Sequence, residues 1–407
     1  MKNNKYAIKS IIKKFLFSLL LLILYIIIKE KTKILKFDES TYFATWTTGI
    51  YLISKPPINL NNNSIRQIIR VSSSGEKIRI KFSNILGNSN LEIKQVCIAD
   101  SVSESEINKK TMKCLKFNGK DGVIIGKQKE IYSDTIFYPL KALSDISISI
   151  YFGKVPKIFS GHYYSRGYSY FEKGNKIKNK SFSNKKKKVS WYFISSLEVS
   201  SVIPKKVVVC FGDSITDGYS NTGDSRNNYP DILSAKLIKN EKTSNISVVN
   251  EGISSEKLTL EGIKRYNHDV LDIKGVKYII IFFGVNDIIK LNITSSQIIS
   301  AYKEVIKKAH KRNIFIYAGT ILPFSNFKIY WSKYKEKVRI KVNNWIKKTS
   351  PKRGGFDAFF DFDKYLKDPK NGTKMKDIYD CRDGLHPSLE GYKKIVDCIN
   401  DYNLFLK

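Results

Sequence analysis

Two rhythms of apolar and polar residues divide the chain. From about Thr41 to Glu198 the two kinds alternate singly. The run "KIRIKFS" sets Ile78, Ile80 and Phe82 on one face and Lys77, Arg79 and Lys81 on the other, and "DISISIYFG" alternates Ile146, Ile148 and Ile150 with Ser147 and Ser149. Successive strand side chains point to opposite faces, so this pattern predicts strands with one buried and one wet face, as in antiparallel sheets. Short runs broken by Asn, Gly and Ser predict a β-sandwich or jelly roll. The lysine-rich stretch from Glu172 to Trp191 reads as a solvated loop.

From Pro204 onward the rhythm changes. The runs "KVVVCF", "ISVVNEGI", "VKYIIIFFG" and "NIFIYAGTIL" are apolar on both faces, and helical stretches such as "TSSQIISAYKEVIKKAHKR" and "YKEKVRIKVNNWIKK" alternate with them. Buried strands alternating with helices predict an α/β domain with a doubly wound parallel sheet. Active groups in such folds gather at the carboxyl ends of strands. That selects the loops after Phe211, after Val249 and after Phe283.

The N-terminus follows neither rhythm. An unbroken apolar run of 14 residues, Phe15 to Ile28, lies between lysines. It predicts a hydrophobic helix acting as an uncleaved signal-anchor or as a cleaved signal peptide; no small-x-small cleavage site follows it. A buried core helix is the plainer alternative. The expected organisation is therefore residues 1–36 as the N-terminal signal segment, 37–198 as the β-sandwich and 199–407 as the α/β domain. Both signal readings place the rest in the secretory pathway, membrane-anchored or secreted.

Composition adds one question. The net charge is +34, from 71 Lys and Arg against 37 Asp and Glu. An excess of this size suits nucleic acid or an anionic membrane. The lysines are spread throughout, however, and no nucleic-acid-binding signature accompanies them, so no nucleic-acid partner is expected. The five cysteines form no CxxC pair, which argues against a zinc site. Cys210 reads as a buried strand residue. Cys97 with Cys114, and Cys381 with Cys398, are either disulfides or four scattered buried thiols.

The strand-end loops carry the chemistry. The first holds Gly212, Asp213 and Ser214, the second is "NEGISS" from Asn250 to Ser255, and the third is "GVND" from Gly284 to Asp287. Near the C-terminus "DGLHP", Asp383 to Pro387, precedes the last helix and contains His386, one of four histidines. A serine hydroxyl is a poor nucleophile until an imidazole takes its proton. A carboxylate holds that imidazole in the right tautomer, and donors must meet the oxyanion as it forms. Taken singly, Asn250 or Asn286 is a turn former, Asp383 a cap and His386 a loop histidine. Together, in this order at predicted strand ends, they form an acyl-transfer set.

With those residues in place, the chain resembles the SGNH hydrolases, the GDSL family of esterases and lipases. "FGDSITDGYS", "NEGISS", "GVND" and "DGLHP" are similar to four of its sequence blocks, in family order. The stretches Ser64–Asn84, Ser190–Ser200 and Phe356–Pro369 resemble a subgroup with an N-terminal β domain, similar to acetylxylan-type polysaccharide esterases. The resemblance implies a flavodoxin-like sheet, no cofactor and no metal. It implies Ser214 as nucleophile, His386 as general base and then acid, and Asp383 as the orienting carboxylate. The oxyanion donors would be the Ser214 N–H, the Asn286 amide and the N–H at position 255. Asp213 and Asp287 would brace their loops. The family has glycine where this chain has Ser255, so a loop needing φ > 0 there would be distorted. The expected activity is hydrolysis of acyl, most simply acetyl, esters on carbohydrate. A lipid or lysophospholipid esterase is the alternative within the class, and a catalytically weak carbohydrate-binding protein the alternative outside it.

Overall fold

The computed structural model describes residues 16–26, 42–54, 59–183, 186–201, 205–221 and 223–407. The described part of the N-terminal run is a helix over residues 16–26, with its side chains exposed. No described helix is long and apolar enough to cross a membrane. The flanks of the expected signal segment lie outside the described residues. Residues Phe43–Lys407 form one compact unit.

In that unit the single alternation gives two antiparallel layers. Among the described residues one sheet has five strands and contains Gly75–Ser83 between Ile194–Ser200 and Ile136–Leu140. The other has nine, including Asn63–Arg70, Asp145–Phe152, Leu91–Ser103 and the long strand Phe159–Lys173. Ile78, Ile80 and Phe82 of the first sheet share a core with Ile65, Ile146, Ile148 and Ile150 of the second. All seven are inaccessible to solvent. Burying such side chains stabilises the fold by roughly 1.5–3 kcal/mol each.

Part of the faces expected to be wet is covered, while Lys77 and Lys81 keep partial access to solvent. Ser147 and Ser149 are buried, and Ser149 Oγ accepts a bond from Arg66 Nε at 2.8 Å. The stretch read as a solvated loop is partly responsible. Its residues Ile177 and Phe182 are buried, and Arg66 reaches its carbonyls at Ile177 (3.0 Å) and Asn179 (2.9 Å). On the other sheet Arg79 is buried, pairing with Glu198 at 2.8 Å and stacking on Tyr132. Alternation reports polarity, but polar side chains can be buried wherever partners arrive from elsewhere in the chain.

The second half is a five-stranded parallel sheet in the spatial order Ile246–Gly252, Lys206–Gly212, Val276–Phe282, Phe315–Gly319, Ala358–Phe360. Numbered along the chain that is 2-1-3-4-5, the flavodoxin-like order expected. The edge strand Ala358–Phe360 is too short for its pattern to be read locally. The two longest helices fall where the 3.6-residue period places them, at Ser295–Lys311 and Lys333–Lys348. The former starts with a capping box at Thr294 and Gln297.

Cys97 and Cys114 stand opposite each other on paired strands and form a disulfide. The second proposed pair does not form: Cys381 and Cys398 are free, and Cys398 Sγ donates to Lys394 O within its own helix. Cys210 is fully buried in its strand, as expected.

The antiparallel and parallel layers meet through polar contacts. Ser72 Oγ lies 2.6 Å from Ser247 Oγ, and Arg226 reaches Asp145 at 3.0 Å. His268 stands between Glu130 of the antiparallel part (2.9 Å) and Asp269 (2.5 Å). Hydrogen bonds to Asp269 first, and then to Glu130, lift its pKa from the usual 6.5 to about 10. A raised folded-state pKa means stabilisation fully present below about pH 6.5 and lost as pH rises through about 10. We therefore expect His268→Gln to melt below wild type at pH 6, with the gap closing towards pH 10. A gap independent of pH, read by thermal melts across that range, would show that the ion pairs do not carry it.

Candidate active site

The first parallel strand delivers the serine. Its last residues, Phe211 and Gly212, run into Asp213, whose carboxylate accepts the Ile215 N–H at 3.0 Å and caps the short helix Ser214–Asp217. Ser214 is the first residue of that helix and is buried. Burial raises the Asp213 pKa to about 7, opposed by the Ile215 N–H. Gly252 ends the second strand against this helix. A Cβ there would lie 2.1 Å from Asp217 N, so only glycine permits the approach.

The loop before the last helix delivers the imidazole. Asp380 and Pro387 form an isolated bridge, and Cys381 N–H donates to His386 O at 3.0 Å, closing the loop. Inside it Asp383 Oδ1 accepts the N–H groups of Leu385 (2.9 Å) and His386 (2.8 Å). Its Oδ2 lies 2.6 Å from His386 Nδ1. Burial alone would raise this carboxyl, but the bonds from His386 outweigh it and lower the pKa to about 2. With Nδ1–H given to Asp383, Nε2 is left as an acceptor. It stands 2.8 Å from Ser214 Oγ. The Tyr219 ring stacks on the imidazole with centroids 3.9 Å apart and planes 26° apart. This arrangement can take the proton from the serine hydroxyl and return it to a leaving group.

Two further predicted residues lie just after the second and third parallel strands. Asn286 sits in the helix Val285–Lys290, which starts at Gly284 with φ of 110°. It lies close enough to Asp213 to lower that carboxyl's pKa. Its Nδ2 is buried and, that weak contact with Asp213 aside, has no hydrogen-bond partner among the described residues. Buried donors are rarely left unpaired, so this one is available to an incoming acceptor. Ser255 has φ of 72°, the left-handed conformation glycine would adopt. The distortion expected from serine is therefore absent; serine instead bears a strain of roughly 1–2 kcal/mol. Lys290 Nζ, at the end of the Asn286 helix, reaches Ser255 O at 3.4 Å.

The bracing residues act as expected. Asp287 accepts the N–H groups of Leu258 (2.9 Å) and Thr259 (3.0 Å). Asn250 donates to Thr216 O at 2.9 Å and accepts from Gly252 N at 2.9 Å. Arg265, which the sequence reading did not single out, ties the strand ends together. It donates to Glu251 O (2.9 Å) and Gly212 O (3.3 Å) and pairs with Glu256 at 2.6 Å.

Sequence reasoning also missed a group near the serine that comes from the antiparallel half. His162 Nε2 and Arg166 Nη2 reach the two oxygens of Asp217 at 3.2 and 3.3 Å. His162 was visible as one of four histidines, but nothing local links it to Asp217, 55 residues away. Among the described residues one acidic trio, Asp380, Cys381 and Asp383, is close enough to ligate a metal. Its carboxylates are already committed: Asp380 accepts from Arg382 N and Gly384 N, and Asp383 serves His386.

Comparison with known proteins follows the same lines. The chain is similar to the structure described as a lipolytic protein of the G-D-S-L family from Desulfitobacterium hafniense, at 24% identity over 48% of this chain and 98% of the other, with a TM-score of 0.39. It is similar to the lipase/acylhydrolase from Enterococcus faecalis, at 25% identity over 50% and 97%, TM-score 0.38. It is also similar to the acetyl xylan esterase AlAXEase, at 22% identity over 47% and 97%, TM-score 0.39. No curated protein matches it. Residues 210–394, which hold every block of the site, match the GDSL-like Lipase/Acylhydrolase family, and that part of the chain belongs to it as a hydrolase domain acting on ester bonds.

Proposed function

We propose that the protein is a serine esterase that removes acyl groups, most simply acetyl, from carbohydrate. The observation that carries the reading is the relay Asp383–His386–Ser214, with contacts of 2.6 and 2.8 Å at the carboxyl end of the parallel sheet. In the proposed cycle His386 takes the Ser214 proton as Oγ attacks the ester carbonyl. The oxyanion meets the Asn286 amide and the N–H groups of Ser214 and Ser255. His386 then protonates the departing sugar oxygen, leaving an acyl-serine. Water, activated by the same imidazole, releases the acid. The carbohydrate half of the reading is supported by the resemblance of the β domain to polysaccharide esterases and by Tyr164 and Tyr219. Both are exposed near the site, and their flat faces suit the C–H faces of a sugar ring.

One observation favours a lipid ester instead. Ile329, Tyr330 and Tyr334 are exposed. The loop leading to them packs at Asn326 and Phe327 against Gly384, beside Asp383. An apolar rim there would suit an acyl chain. A panel of activated esters from acetyl to decanoyl, with acetylated xylan, separates the two. We expect kcat/KM to fall with chain length and acetate to be released from xylan. Faster turnover of long chains, without release from xylan, would favour the lipid reading.

We further propose a secretory location. The Cys97–Cys114 disulfide and the exposed apolar helix over residues 16–26 support it. Carbonate-washed membranes would retain an anchored form and release a secreted one.

A further inference from the structure

One guanidinium from the antiparallel half reaches two of the segments that carry the catalytic groups and, through Tyr219, the His386 ring. Arg166 Nη2 lies 3.3 Å from Asp217 Oδ2, at the end of the helix that begins with Ser214. The same nitrogen lies 3.4 Å from Ser254 Oγ, one residue before Ser255. Its guanidinium carbon lies 5.7 Å from the centre of the Tyr219 ring, which stacks on His386. Ser254 Oγ in turn donates to Asp217 Oδ2 at 2.5 Å. His162, from the same strand, completes the group at Asp217 Oδ1 and is itself held by Gly49 O at 2.7 Å.

The backbone is bent to make this reach. In the strand Phe159–Lys173 the pairing register with Lys187–Tyr192 shifts between Tyr163 and Tyr168. Within that bulge Tyr164 and Arg166 both have φ of 57°, unfavourable for residues other than glycine. Bulges re-aim side chains next to active sites, and strained residues persist where their surroundings over-determine them. The Arg166 side chain is 10% exposed, so it is committed inward.

We infer that Arg166 is a positioning residue for the ester-hydrolysing centre. Through Asp217, Ser254 and Tyr219 it sets the Ser214 helix, the Ser255 turn and the His386 ring relative to one another. The β domain therefore completes the catalytic centre as well as flanking it. The inference rests on the serine-esterase reading. Misplacement of reacting groups by about 1 Å can cost on the order of 10²-fold in rate. A defect of this kind falls on kcat, since it displaces the reacting groups relative to one another.

The test is steady-state kinetics of the full chain on an activated aryl acetate, with thermal melts alongside. Arg166→Ala is expected to lower kcat about 10²-fold with KM within about twofold. Arg166→Lys keeps the charge but loses the planar contact with Tyr219, and should recover part of the loss. Asp217→Asn should lower kcat comparably, and the double variant should be little worse than either single one, because both break one linkage. Arg66→Met is the control: it removes a buried arginine whose bonds run to Ser149, Ile177 O and Asn179 O, none of them to Asp217 or Ser254, and should lower the melting temperature with kcat unchanged. An active wild type with Arg166→Ala at the same kcat overturns the inference. So does a raised KM with kcat intact, which would make Arg166 a substrate contact. So does an Arg66→Met variant that loses kcat in proportion to its stability. A wild type without turnover overturns the esterase reading, and this inference with it.

Discussion

Replacing Ser214 by alanine should lower kcat for an activated acetate ester on the order of 10⁶-fold, with KM little changed. The size follows from the lack of a substitute. Ser254, the nearby alternative hydroxyl, is committed to Asp217 at 2.5 Å. Ser214 Oγ alone among the described hydroxyls contacts His386 Nε2. Without it, the relay from Asp383 ends in an imidazole with nothing to activate except water. The residual rate would come from substrate binding and the oxyanion donors. The substitution removes one buried oxygen and leaves the Asp383–His386 pair intact, so melting temperature should barely move. Equal rates for wild type and variant would refute the assignment of the nucleophile.

Asn286→Ala carries the second large effect, a loss of about 10²–10³ in kcat. The reason is an unusual polar atom. Among the described residues Asn286 Nδ2 is buried with no partner at full hydrogen-bond geometry and only a weak contact to Asp213, a state that costs roughly 1–3 kcal/mol in a folded protein. That cost is recovered when an oxyanion forms within reach of the amide, which is what makes the donor selective for the transition state. Truncation therefore removes catalysis while giving up in the resting protein only the amide's weak contact with Asp213. We expect kcat to fall while the melting temperature holds or rises. The reverse pattern, a lower melting temperature with kcat intact, would make Asn286 a packing residue. Asn286→Asp provides a sharper version, because a carboxylate near Asp213 would repel the developing charge and should lower kcat further than alanine.

The legible part of this site lay in short stretches. "VVVCFGDS" reads as a strand breaking into a turn because five apolar residues meet Gly-Asp-Ser, and the structure places Ser214 at that break. Asp383 and His386 are three apart, so one loop delivers both, and the 2.6 Å contact between them is a local event. The position of Ser255 was also legible, as a serine where the family has glycine. Its consequence was not: whether serine could adopt φ of 72° depends on the turn it closes.

Other features depended on which distant stretches met. Alternation placed Ser149 and Arg79 on a polar face, and Arg66 with the segment around Ile177, or the partner Glu198, then buried them. Spacing treated the two cysteine pairs alike; strand pairing brought Cys97 opposite Cys114 and left Cys381 and Cys398 apart.

By itself, then, the sequence determined the two rhythms, the parallel α/β half and the identities of Ser214, Asn286, Asp383 and His386. Each of these follows from side-chain periodicity or from residues close together in a motif. Only the tertiary structure decided that Tyr219 stacks on His386 and that Asn286 Nδ2, among the described residues, has no more than a weak contact with Asp213. It alone brought Arg166 and His162 to Asp217 across 51 and 55 residues. Contacts over such separations are set by the path of the chain and the bulge that turns Arg166 inward, and no local pattern of apolar and polar residues encodes that path.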